Sequence, residues 1–262
     1  MKKSLLLAVL SVCLLPLWGQ ANLSQIDSLV RKMLPEASEV GISVYDLTAK
    51  KSLYTYHDTK LSRPASTMKL LTAVTALSRP DADNPFCTEV WYDGVIEHDT
   101  LQGNLYVVGG FDPEFDSLMM DSLIEEVITF PFSVISGQVY GDVSMKDSLY
   151  WGHGWAWDDT PEAYQPYLSP LMFCKGAVVP GSQQGDTASI SCKPASSYYT
   201  MTNRTKTRTP SAGKYSLSRD WLTNGNNLTV TGNVSTFRKD LVNVYDSGSF
   251  FMHAFLERLR AK

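Results

Sequence analysis

Apolar and polar residues alternate in short bursts along most of this chain and lengthen into helical stripes in only a few places. Leu23 to Leu34 carries an amphipathic stripe that Pro35 ends, which predicts a helix. Val40-Gly41-Ile42-Ser43-Val44-Tyr45-Asp46 and Ser52-Leu53-Tyr54-Thr55-Tyr56 flank the polar run Leu47 to Lys51 and predict a β-hairpin. Thr67 to Leu77 returns to helical spacing. Beyond Arg79-Pro80 the texture changes. Short β-type runs recur at Leu101 to Val108, Val134 to Tyr140, Phe173 to Val179, Ala188 to Cys192, Tyr198 to Thr207 and Leu228 to Val234, with Gly, Pro, Asn and Asp between them. A helix at about Ser117 to Ile128 interrupts them. Asp246 to Arg260 closes the chain as another helix, apolar at Phe250, Phe251, Ala254, Phe255 and Leu259. Runs of strands set apart from helices give an α+β class. They divide the chain into a first region 22–80, a strand-rich module 81–240 and a final helix 241–262.

The start reads as a secretory signal over residues 1–21: Lys2 and Lys3, an apolar run from Leu5 to Trp18, then Gly19 and Ala21 as a small-residue exit. Cys13 lies inside the apolar run and is taken as part of it. No later segment approaches the ~20 apolar residues a membrane span needs, so no transmembrane anchor beyond the signal is expected. An exported protein of the periplasm or cell envelope follows. Lys and Arg number 23 against 27 Asp and Glu, net −4, with no basic cluster, which argues against nucleic acid as a partner. The histidines are scattered and no Cys-x-x-Cys occurs, so neither a metal site nor any other cofactor is expected. Cys174 and Cys192 lie on two β-type runs around Ser182-Gln183-Gln184-Gly185. If those runs pair about that turn, the cysteines come within disulfide reach; two separate thiols are the alternative.

The chemistry concentrates in Pro64-Ala65-Ser66-Thr67-Met68-Lys69. Residues three apart on a helix share a face, which brings the Lys69 amine to the Ser66 hydroxyl and makes Ser66 a candidate acyl-transfer nucleophile with Lys69 as its base. Ser is also a favoured N-cap, so capping alone is the competing explanation. Lys69 tips the balance, because a cation in a first helical turn opposes the macrodipole by roughly 0.3–1 kcal/mol. A second Ser-x-x-Lys, Ser211 to Lys214, lies in a Pro/Gly loop that fixes no spacing.

Several stretches in series resemble one family. They are Arg63 to Lys69, Leu101-Gln102-Gly103-Asn104-Leu105-Tyr106-Val107-Val108-Gly109-Gly110-Phe111-Asp112-Pro113, Gly137-Gln138-Val139-Tyr140-Gly141-Asp142 and Gly154-Trp155-Ala156-Trp157-Asp158-Asp159. In order and separation they resemble the type-4 penicillin-binding proteins, D-alanyl-D-alanine carboxypeptidases/endopeptidases. The resemblance implies part of a penicillin-recognising, serine β-lactamase-like hydrolase domain with a strand-rich module inserted after the Ser-x-x-Lys helix, and the final helix returning to that domain. It implies peptidoglycan stem peptides as substrate, β-lactams as covalent inhibitors, and an acyl-enzyme on Ser66. It also implies an acidic residue of the module near the substrate side chain, for which Asp142 is the candidate; a turn-forming Asp after a strand is the alternative. The family's Ser-x-Asn and Lys-Thr-Gly motifs occur nowhere in this sequence. The chain therefore resembles the front part of such a protein, and weak activity or a non-catalytic wall-binding role is also expected of it.

Overall fold

The computed structural model describes residues 23–35, 37–183, 189–236 and 238–262; the signal segment 1–21 lies outside them. Two units are distinguished, one through Asp83 and one from Asn84 to Lys262.

In the first unit, α1 (Leu23–Met33) is followed by β1 (Ile42–Asp46) and β2 (Lys51–Tyr56), then α2 (Met68–Leu77). The hairpin pairs Ile42 with Tyr56 and Asp46 with Lys51, with a register shift between Val44 and Tyr45. Asp46 Oδ1 accepts from the amides of Thr48 and Ala49, each at 2.9 Å, and closes the turn as aspartate does by preference. Asp27 of α1 accepts from Arg31 Nε at 2.7 Å and from the Tyr54 hydroxyl at 3.3 Å, tying helix to hairpin. No residue of α2 is buried. Leu70, Leu71, Val74 and Leu77 are between 62% and 79% exposed, so the apolar stripe that predicts this helix forms no core here.

The second unit holds β3 (Glu89–Tyr92), β4 (Val95–Glu97), β5 (Thr100–Gln102), β6 (Leu105–Val108), α3 (Ser117–Val127), β7 (Val134–Ile135) and β8 (Val139–Asp142). They are followed by β9 (Ala177–Gln183), β10 (Ser189–Lys193), β11 (Thr200–Thr207), β12 (Ser216–Arg219), β13 (Asn227–Val234), β14 (Arg238–Lys239), β15 (Val242–Asn243) and α4 (Ser247–Arg260). The sheets run β3-β6-β8, β4-β5-β7, β11-β13-β12 and β10-β9-β14, with β15 also on β9. Two of the expected strands are each cut in two, between β5 and β6 and between β7 and β8. The cause is a pair of facing glycines: the Gly137 amide donates to Gly103 O at 3.0 Å, and a Cβ on Gly137 would sit 2.2 Å from that same oxygen. The halves on either side of this contact join different sheets.

Both helices are capped by aspartate. Asp116 accepts from the amides of Leu118 and Met119, and Asp246 from that of Ser249. Leu105 and Val107 of β6, Met120 and Ile124 of α3, and Phe250, Phe251 and Phe255 of α4 are at most 1% exposed in one core. Phe251 meets Phe115 at 5.0 Å, and Phe250 meets Phe173 at 5.3 Å. The final helix packs in this core.

Cys174 and Cys192 are free thiols, the alternative to a disulfide. Strand β9 continues through Ser182 and Gln183, and Cys192 of β10 faces Pro180. Cys174 precedes β9 altogether, in a turn beside Ser117.

Candidate active site

Ser66 lies in a 3-10 turn, Ala65–Thr67, that leads directly into α2. Ala65 has φ of 43°, in the left-handed region unusual for a residue with a Cβ. The Thr67 hydroxyl donates back to Pro64 O, and the Met68 amide reaches the carbonyls of Ala65 and Ser66. Neither Pro64 nor Thr67, the residues at the two cap positions, makes a side-chain capping bond. The Ser66 hydroxyl is engaged instead by Lys69: Nζ donates to Ser66 Oγ at 3.0 Å. That distance lies in the ~2.6–3.2 Å range in which a neutral amine takes a hydroxyl proton. Both residues are exposed.

Asp142 ends β8 in the second unit, half-buried. Its Oδ1 accepts from the Ser144 amide at 2.8 Å, the geometry of a turn-forming aspartate. The Ser144 hydroxyl and amide hold its carboxyl below the usual aspartate value. The structure thus brings Ser66 and Lys69 together and places Asp142 in a separate unit. Sequence reasoning missed Asp147 and Asp246, which line a cavity of about 530 Å³ beside β8. No motif marks them, because one sits in a loop and the other caps a helix.

A solved structure of penicillin-binding protein 4 from Haemophilus influenzae matches with a TM-score of 0.72 at 22% identity, over 92% of this chain and 54% of that one. The same protein in complex with a β-lactam matches with a TM-score of 0.64 at 17% identity, over 92% and 52%. These likenesses establish an α+β, penicillin-binding-like fold. In sequence, the chain is 28% identical over 219 residues to a D-alanyl-D-alanine carboxypeptidase of Actinomadura sp. (strain R39), covering 80% of this chain and 40% of that protein. It is 30% identical over 145 residues to the D-alanyl-D-alanine carboxypeptidase DacB of Haemophilus influenzae, 55% of this chain and 29% of that protein. The chain therefore spans less than half the length of these curated relatives. The D-Ala-D-Ala carboxypeptidase 3 (S13) family model matches residues 22–262, and the chain belongs to that family.

Proposed function

We propose that this chain carries the nucleophilic part of an exported serine-type D-Ala-D-Ala carboxypeptidase/endopeptidase acting on peptidoglycan peptides, with residues 81–240 as an inserted module. The observation that carries this reading is the 3.0 Å contact from Lys69 Nζ to Ser66 Oγ. Lys69 Nζ accepts the Ser66 proton as Oγ attacks the carbonyl of the penultimate D-alanine. The Ser66 amide, at the start of a helix, stabilises the oxyanion. As the tetrahedral intermediate collapses, the C–N bond breaks and the leaving amine takes the proton from Lys69. Water then hydrolyses the acyl ester and regenerates Ser66. A β-lactam would acylate Ser66 by the same attack, as suits a family relative that has been crystallised with one.

Two observations favour a second reading, a non-catalytic wall-binding protein: the absence of Ser-x-Asn and Lys-Thr-Gly from the sequence, and the exposed apolar side chains of α2. A fluorescent penicillin separates the two. The enzymatic reading expects a covalent adduct that peptide mapping places on Ser66 and that Ser66→Ala removes. We expect labelling of this chain to be slow, since groups that orient the substrate contribute about 7–11 kcal/mol in well-positioned reactions. No adduct after prolonged exposure, either in this chain or in one extended by a family-like C-terminal region, would favour the binding role.

A further inference from the structure

Strand β8 lies at the edge of the sheet β3-β6-β8. It runs parallel to β6, with the Leu105 amide donating to Gln138 O at 2.9 Å and the Gly109 amide to Asp142 O at 3.0 Å. In a parallel ladder alternate residues face the neighbour. Gln138, Tyr140 and Asp142 therefore turn their backbone groups to β6, and Val139 and Gly141 turn theirs to the open edge. Among the described residues neither Val139 nor Gly141 has a backbone partner on that side.

Two cavities flank this edge, one on each face of the strand. The inner one, about 530 Å³, has an apolar wall of Val139, Leu171, Met252 and Leu256, with Asp147 and Asp246 also in its lining. The outer one, about 570 Å³, is bounded by Tyr106, Tyr140, Asp142 and Ser144. They meet along Tyr140, Gly141, Val143, Asp147 and Ser148. A strand added to the edge would send successive side chains to opposite faces, one into each cavity. The inner cavity suits an apolar side chain. In the outer one, Tyr140 stacks on Tyr106 at 5.5 Å and Asp142 and Asp147 stand nearby, a setting for a cation. The two cavities together carry Asp142, Asp147 and Asp246 against the cation Lys146, which itself pairs with Asp147 at 2.5 Å.

We propose that the β8 edge binds, by strand addition, an extended L-polypeptide segment of a partner protein in which a Lys or Arg alternates with an apolar residue. Neither Ser66 nor Lys69 takes part in it. Charge complementarity selects this occupant over a second copy of the chain, because edge-to-edge pairing of two copies would bring the same carboxylates together.

The test uses the whole chain and a fluorescein-labelled peptide, (Lys-Val)₃, acetylated and amidated, read by fluorescence anisotropy. N-methylation of one alternate set of amides, the set that faces β8, is expected to weaken binding at least about tenfold; N-methylation of the other set, which faces solvent, leaves it within about threefold. Changing lysine to glutamate in the peptide is expected to abolish binding. Asp147→Lys and Tyr140→Ala, both at exposed positions, are each expected to weaken it several-fold with an unchanged circular dichroism spectrum. Equal binding of the two N-methylated peptides would mean simple charge adhesion and overturn the proposal. Tighter binding of a peptide of alternating D and L residues would point to a wall peptide and overturn it too, as would self-association of the chain that Asp147→Lys removes.

Discussion

Replacing Lys69 with methionine keeps the length and volume of the side chain and removes only the amine that contacts Ser66. That amine is the base of the proposed mechanism and lies 3.0 Å from the nucleophile. Loss of a positioned general base costs about 10²–10⁴ in rate, or about 2.7–5.4 kcal/mol of activation free energy. Arginine at the same position restores the charge but holds its proton at any working pH, so Lys69→Arg is expected to be as slow as Lys69→Met. Lys69 is exposed, and neither change is expected to alter unfolding free energy by more than about 0.5 kcal/mol. The assay is the second-order rate constant of acylation by a fluorescent penicillin under excess reagent, with Ser66→Ala as the blank. It is measured on this chain and on one extended by a family-like C-terminal region. A structural lysine would be rescued by arginine. Recovery of the rate by Lys69→Arg to within about threefold of the parent would refute the assignment of Lys69 as base.

Phe255→Ala is expected to cost about 3–5 kcal/mol in urea unfolding, because the ring is 0% exposed in the core of the second unit; Leu71→Ala, at 62% exposure on α2, should cost less than about 1 kcal/mol. Burial pushes the Glu257 carboxyl up, but donors from the Ser197 hydroxyl, the Ser196 hydroxyl and the Ser197 amide outweigh it and hold the pKa below the ordinary 4.5. A depressed carboxyl stabilises fully above its unfolded value and loses that contribution as pH falls through the folded one. Melting temperature should therefore drop below pH 4.5, and Glu257→Gln should flatten that limb while lowering stability at pH 7. In unreduced, denatured protein, Cys174 and Cys192 should both react with iodoacetamide, and mass spectrometry finding a peptide linked between them would contradict the free thiols.

Much of the local structure was legible in the sequence. The stripe over Asp246 to Arg260 yields α4, the pattern over Ser117 to Ile128 yields α3, and the polar run Leu47 to Lys51 yields the turn of the first hairpin. The Ser66–Lys69 contact belongs with these, since two residues three apart at the start of a helix meet whatever surrounds them. The breaks in the β-type runs were not legible. Leu101 to Val108 reads as one strand by alternation, and it divides only because Gly103 meets Gly137 from a distant part of the chain. The same limit explains Cys174 and Cys192. A period of two looks identical in every register, so the offset that sets Cys192 opposite Pro180 emerges only when β9 and β10 pair.

Spacing along the chain thus determined by itself the helices, the first hairpin and the Ser66–Lys69 contact, because each is closed by bonds within a few residues. Tertiary structure alone decided which strands share a sheet, that the two cysteines stay apart, that α4 packs in the second unit, and that β8 has no second neighbour among the described strands. Each of those depends on contacts between segments far apart in sequence, where alternation says that a strand has a buried face but not which neighbour will cover it.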